Sequence, residues 1–174
     1  MTPGRRELLI LGAVAAGAAA AGGIVGALAL QSQTGAGELL RTSLPDLSGQ
    51  QRRLAQWQGR YLLCNFWATW CGPCREELPL LDAAQQQNAA NGLQVVGIAI
   101  DTAPNVREYL KVVKIAYPVL VGEGGAIALM RSLGNTSGGL PFTVILDPKG
   151  SLRKRRVGAY SEAGLRAELA ALLR

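Results

Sequence analysis

Two cysteines three positions apart, Cys71 and Cys74, carry the most informative chemistry in this 174-residue chain. They sit in the run Asn65-Phe66-Trp67-Ala68-Thr69-Trp70-Cys71-Gly72-Pro73-Cys74-Arg75-Glu76-Glu77-Leu78-Pro79. Upstream, Tyr61 to Trp67 is apolar and aromatic, the pattern of a buried strand. Downstream, Leu78, Leu81 and Ala84 recur at helical spacing, so the cysteines stand where a strand hands over to a helix. Pro73 fits the first helical turn, where its missing N–H had no partner to lose. Cys71 then meets the unpaired N–H groups and the positive end of the helix dipole, which favour thiolate over thiol. Cys74 lies one turn later on the same side and can close a disulfide with it. An attacking sulfur with a resolving sulfur beside it is the equipment of thiol–disulfide exchange.

Other uses of the pair fit less well. A zinc site needs further N or S ligands, and the chain has no histidine and only one more cysteine, Cys64. A c-type haem site is excluded because Arg75 stands where histidine is required. A peroxidase of the peroxiredoxin type needs Pro-x-x-x-Thr-x-x-Cys, which is absent, since Thr69 lies two residues before Cys71. The rival from a different class is a Cu(I) metallochaperone, because a soft dithiolate binds that ion. Such a carrier is expected to add histidine or methionine ligands, and Met130 is remote in sequence. No cofactor and no resident metal is expected. Trp70, next to Cys71, reads as a rim residue for partners and Trp67 as core. Cys64, inside the strand, reads as a small buried hydrophobe. Gly122-Glu123-Gly124-Gly125 lacks the Lys-Ser/Thr pair of a phosphate loop and reads as a turn.

The elements that must hold the cysteines alternate strand and helix. Leu93 to Ile100 predicts a second buried strand, Val106 to Lys114 a helix, Tyr117 to Val121 a short extended piece, and Ile127 to Leu133 a short helix. Thr143 to Leu146 predicts a strand, joined through the turn Asp147-Pro148-Lys149-Gly150 to a basic strand with Arg153-Lys154-Arg155-Arg156. Ser161 can cap a last helix whose buried stripe is Leu165, Leu169 and Leu172. The basic strand reads as a sheet edge guarded by charge, with contact to anionic lipid as the alternative. Net charge is +6, but the basic run lacks interleaved aromatics, so no nucleic-acid partner is expected.

Leu8 to Leu30 carries no charge and is long enough to span a bilayer core of about 30 Å. Arg5 and Arg6 precede it, which holds the N-terminus in the cytoplasm and sends the rest across. A retained signal anchor is favoured over a cleaved signal, for which Ala27-Leu28-Ala29 offers a small-x-small site. The expected organisation is a transmembrane segment over residues 1–30, a flexible linker over 31–42 and a globular domain over 43–174.

The run from Asn65 to Pro79, together with Gly139-Leu140-Pro141-Phe142-Thr143, resembles the thioredoxin superfamily and within it the TlpA/ResA type of membrane-anchored proteins. The resemblance implies a thioredoxin-like α/β fold, a central mixed sheet with helices on both faces. It also implies an extra helix-and-strand insertion from about Thr102 to Ser132. It implies a cis Leu140–Pro141 peptide that brings the Leu140 backbone beside Cys71, so that Leu140, Pro141 and Trp70 bind substrate. Thioredoxin has a buried aspartate six residues before its first cysteine; here that place is Asn65, which cannot take a proton. Glu77, three residues after Cys74 and on the same helix face, is the expected replacement, giving Cys71, Cys74 and Glu77 as the catalytic set. The Gly-Pro dipeptide between the cysteines is thioredoxin's own, and thioredoxin sits near −270 mV against about −120 mV for the DsbA type. The implied protein is a periplasmic disulfide reductase of the inner membrane. Its electrons would come from a transmembrane thiol donor of the CcdA/DsbD kind. Its clients would be apocytochrome c or copper-site cysteines.

Overall fold

The computed structural model describes residues 35–173. A helical segment over residues 35–41 leads into the hairpin β1 (Ser43–Pro45) and β2 (Gln51–Arg53), which is followed by a 3-10 turn at Leu54–Trp57. There follow β3 (Tyr61–Trp67), α1 (Gly72–Asn88), β4 (Leu93–Ala99), α2 (Ala103–Val112), β5 (Val119–Val121) and α3 (Gly125–Ser132). The chain ends in β6 (Phe142–Leu146), β7 (Leu152–Val157) and α4 (Glu162–Leu172).

The main sheet runs β5-β4-β3-β6-β7. β3 is parallel to β4 and β4 to β5, while β6 is antiparallel to both β3 and β7. β3 and β4 read as mostly apolar runs because both of their faces are covered. Side chains alternate across β3. Leu63 and Trp67 join a core built with Leu78 and Leu81 of α1, Val106 of α2 and Leu165 and Leu169 of α4. Leu62, Cys64 and Phe66 face the opposite core, which α3 closes with Ala126, Leu129 and Met130. β7 is the outer strand and its basic side chains are exposed, as an edge guarded by charge requires. Those charges also have local partners, since Lys154 Nζ lies 3.0 Å from the Glu168 carboxylate of α4.

The helix-and-strand section after Asp101 is present as α2, β5 and α3, and it widens the sheet by β5. The linker expectation over residues 31–42 needs correction where the structure describes it. Residues 35–41 are helical, and Ala36 and Leu39 are buried in the core beneath α3. Gly35 lies so close to the end of α3 that a Cβ there would stand 2.3 Å from the Ser132 carbonyl oxygen. Glycine and glutamate suggested a tether, but Ala36, Leu39 and Leu40 have the spacing of one helix face, and burial of that face decides the outcome. The hairpin at residues 43–53 was also not expected. Asp46 holds it by accepting from Ser48, Gln50 and Arg52, and bridges to Leu120 at the sheet edge. The proposed transmembrane segment Leu8–Leu30 lies outside the described residues, among which no helix is long and apolar enough to cross a membrane.

Leu39 is fully buried. Leu39→Ala is therefore expected to lower unfolding free energy by about 2–5 kcal/mol in urea denaturation, where a free tether would give no change.

Candidate active site

β3 ends at Trp67 and α1 starts at Gly72, so the intervening turn is short and its geometry is set from both sides. Cys71 is the N-cap of α1, and its Sγ accepts the Cys74 backbone N–H at 3.3 Å. Cys71 and Cys74 are joined by a disulfide with Cα atoms 5.3 Å apart. Pro73 occupies the first turn as expected. A carboxylate on the next loop pins the turn. Asp101 accepts from the Thr69 hydroxyl and from the Thr69 N–H at 3.2 Å, and also from Thr102 N–H and Asn105 Nδ2, each at 2.8 Å. Partial burial pushes the Asp101 carboxyl up, but these bonds outweigh it and hold it below its ordinary value. Asp101 read in the sequence only as the end of a strand.

The two sulfurs are unequal. Cys71 keeps 7% of its surface exposed and Cys74 none, while neighbouring Trp70 is 70% exposed. Cys71 is thus the sulfur a partner reaches first, beside an open aromatic rim. Trp67 is core and packs on Tyr109 at 5.8 Å between ring centroids, with the Arg75 guanidinium 5.3 Å over the same ring. Gly97 of β4 makes room for this cluster, since a Cβ there would meet Trp67 Nε1 at 3.0 Å. The Leu140–Pro141 peptide is cis, and the Pro141 carbonyl accepts the Gly158 N–H at 2.8 Å. Leu140 is half-buried against both cores.

Glu77 is buried on the face of α1 that also buries Cys74, Leu78 and Leu81. Its Oε1 accepts the Tyr160 backbone N–H at 2.8 Å and its Oε2 accepts Asn65 Nδ2 at 3.0 Å. Burial pushes its carboxyl above the ordinary value; the bonds from Tyr160 and Asn65 and the charge of Arg156 pull the other way without cancelling it. Arg156 organises the loop that delivers the Tyr160 N–H, lying 4.7 Å over the Tyr160 ring and donating to the Ala159 carbonyl. Thr143, Tyr160 and Arg156 were not singled out from sequence for this site, because each meets Glu77 or Asn65 only through the fold. The position of Asn65 on β3, facing the first core, was the available signal.

Cys64 is fully buried on the opposite face of β3 from Glu77, and burial pushes its thiol far up. It is core, as expected. Among the described residues no group of His, Cys, Asp and Glu is arranged to hold a metal. A cavity of about 640 Å³ lies between the hairpin and β5, lined by Asp46, Arg52, Trp57 and Leu120, and touches none of the expected site residues. The disulfide itself lies beside the exposed Trp70 rim, which suits a partner surface and not an enclosed small molecule.

A family model described as AhpC/TSA matches residues 38–155. The chain is 32% identical over 131 residues to the thioredoxin-like protein YneN of Bacillus subtilis, covering 73% of this chain and 74% of that one. It is 24% identical over 127 residues to the thiol-disulfide oxidoreductase ResA of Geobacillus thermodenitrificans, covering 72% and 71%. Among solved structures it is similar to a thiol:disulfide interchange protein of the thioredoxin family from Chlorobium tepidum, with 31% identity, TM-score 0.67 and coverage of 76% and 93%. A thioredoxin-related protein from Neisseria meningitidis serogroup B gives 32% identity, TM-score 0.67 and coverage of 74% and 97%. The mixed sheet with its helices is the thioredoxin-like α/β fold.

Because the folded state raises the Glu77 carboxyl above its ordinary 4.5, it binds this proton more tightly than the unfolded chain does. Wild type should therefore lose stability relative to Glu77→Gln as pH rises from about 4.5, and the gap should stop widening above the folded value. Urea denaturation of both proteins across pH 4–8 checks this; parallel pH profiles would contradict it.

Proposed function

The chain belongs to the AhpC/TSA family, and from that premise we propose that this thiol–disulfide oxidoreductase reduces disulfides of client proteins through Cys71 and Cys74. The observation that carries the reading is the inequality of the two sulfurs: one caps a helix and keeps some exposure next to an exposed tryptophan, the other is wholly buried on the helix face that also buries Glu77. In the dithiol state the Cys71 thiolate attacks one sulfur of a client disulfide, and the other client sulfur leaves as thiolate. Cys74 then gives its proton to Glu77, its sulfur attacks Cys71 Sγ, and the bond from Cys71 to the client breaks with the electrons going to the client sulfur. The result is the Cys71–Cys74 disulfide and a reduced client, with two electrons transferred. Trp70 and the Leu140–Pro141 segment form the rim on which an extended client segment docks, its backbone pairing with Leu140 as one short rung of sheet.

The finer reading rests on the sequence. The apolar Leu8–Leu30 segment supports a single-pass anchor in a bacterial inner membrane, with the domain in the periplasm. In that oxidising space a reductase must be recharged, which supports a transmembrane dithiol donor of the CcdA/DsbD kind. Apocytochrome c Cys-x-x-Cys-His segments and copper-site cysteines are the client class that fits such a donor.

Trapping in cells tests this. Cys74→Ser should accumulate mixed disulfides through Cys71, and Cys71→Ser should trap none; a copper carrier would lose metal in both variants and trap no partner. With the purified full chain, Glu77→Gln should slow release of a client mixed disulfide on the order of 10²-fold at neutral pH, and an unchanged release rate would remove Glu77 from the mechanism.

A further inference from the structure

Asn65 is wholly buried on β3, and Asn65 and Thr143 stand directly opposite each other in the β3–β6 register. Its Nδ2 donates to Glu77 Oε2 and to Thr143 Oγ1, both at 3.0 Å. Its Oδ1 is buried with no hydrogen-bond partner. An amide that spends both N–H bonds on one side and leaves its oxygen unmatched is arranged for one charge state of its neighbour. An ionised Glu77 accepts only, which suits the N–H bonds it receives from Asn65 and Tyr160. A protonated Glu77 has an O–H to place, and an NH₂ group cannot receive it.

We propose that Asn65 is a positioning residue that follows the proton on Glu77, presenting Nδ2 to Glu77 and Thr143 when the carboxyl is ionised and turning Oδ1 to both when it is protonated. Thr143 makes this workable, because a hydroxyl accepts from Nδ2 in the first state and donates to Oδ1 in the second. The turned Oδ1 accepts both the carboxylic O–H and the Thr143 O–H with its two lone pairs. The motion is rotation about the terminal side-chain bond, a broad two-fold torsion that asks nothing of the strand. Aspartate here would put a second carboxyl against Glu77 and split the titration between them; asparagine leaves one titrating group with a partner in either state. No atom is exchanged by the amide: the proton passes between Cys74 Sγ and Glu77, and Asn65 keeps both hydrogens.

The groups around Glu77 are Cys74 on the same buried face of its own helix, Arg156 of β7, Tyr160 after β7 and Tyr117 before β5. Burial, first among causes, pushes the Tyr160 phenol up to about 12 and the Tyr117 phenol higher still. Glu77 is thus the carboxyl whose change of charge the amide follows.

This inference rests on Glu77 as the base for Cys74, and the test separates the two. In the reduced full chain, the Glu77 side-chain carboxyl ¹³C and the Asn65 side-chain NH₂ signals are followed by NMR against pH in wild type, Asn65→Leu, Thr143→Val and Thr143→Ser. The Asn65 amide signals should move with the Glu77 midpoint, with contacts from its protons to Thr143 seen only above it. Loss of a charge-assisted bond in Asn65→Leu should raise the Glu77 midpoint by about one to two pH units. Thr143→Val should raise it less, and Thr143→Ser should restore it. Amide signals indifferent to pH across the Glu77 midpoint, or a midpoint unmoved in the variants, would overturn the proposal. If Asn65→Leu does not fold, the wild-type amide titration and the Thr143 pair decide the matter alone. An unchanged client-release rate in Glu77→Gln beside a moving amide would remove the base and leave the amide switch standing.

Discussion

A sulfur accepting a backbone N–H at the start of a helix is the constraint on which the other features rest. It requires β3 to stop at Trp67 and α1 to begin at Gly72, with Cys71 left between them as the cap. A helix terminus contributes about 0.3–2 kcal/mol to an anion placed there, which is of the order of one pKa unit. That is modest, but it acts most on the sulfur that caps the helix. Cys74 is fully buried, and burial raises a thiol. Terminus and burial therefore push the two cysteines in opposite directions, and this separates attacker from resolver more firmly than either effect alone.

The division of labour creates a need that the fold meets at some cost. In the proposed exchange the buried Cys74 thiol must be deprotonated where water is scarce, and Glu77 is held one turn away by bonds from β3 and from the loop before α4. Both bonds favour its ionised form and burial disfavours it, with burial the larger. The carboxyl is thereby held above its ordinary value, which favours its taking a proton. Arg156 shows how much of the surface serves this point, since a residue of a charged edge strand shapes the loop that caps Glu77.

Periodicity made the sheet and the dithiol legible. Tyr61–Trp67 matched β3 residue for residue, the Ser161 cap bonds Gly164 as its position implied, and Cys71 caps α1 because Pro73 marks a first turn. The N-terminal segments were missed for a different reason. β1 and β2 are three residues long each, too short for alternation to register, and their hairpin is held by one aspartate. The helix at residues 35–41 draws its stability from Ala36 and Leu39 meeting α3, a contact across some ninety residues of chain. Glu77 was legible as a candidate base through the family resemblance, but its partners were not, because Tyr160 lies 83 positions away and Thr143 meets Asn65 only through the β3–β6 register.

The acidity of Cys71 is the quantity that decides the account. Alkylation of the fully reduced chain by iodoacetamide, followed site by site across pH 4–10, measures it directly. The prediction is a first thiol, Cys71, titrating at least about one unit below the ordinary value near 8.5, with Cys74 reacting slowly and only at higher pH. A Cys71 that titrates at or above 8.5, or two cysteines that react alike, would contradict the assignment of attacker and resolver on which the mechanism stands.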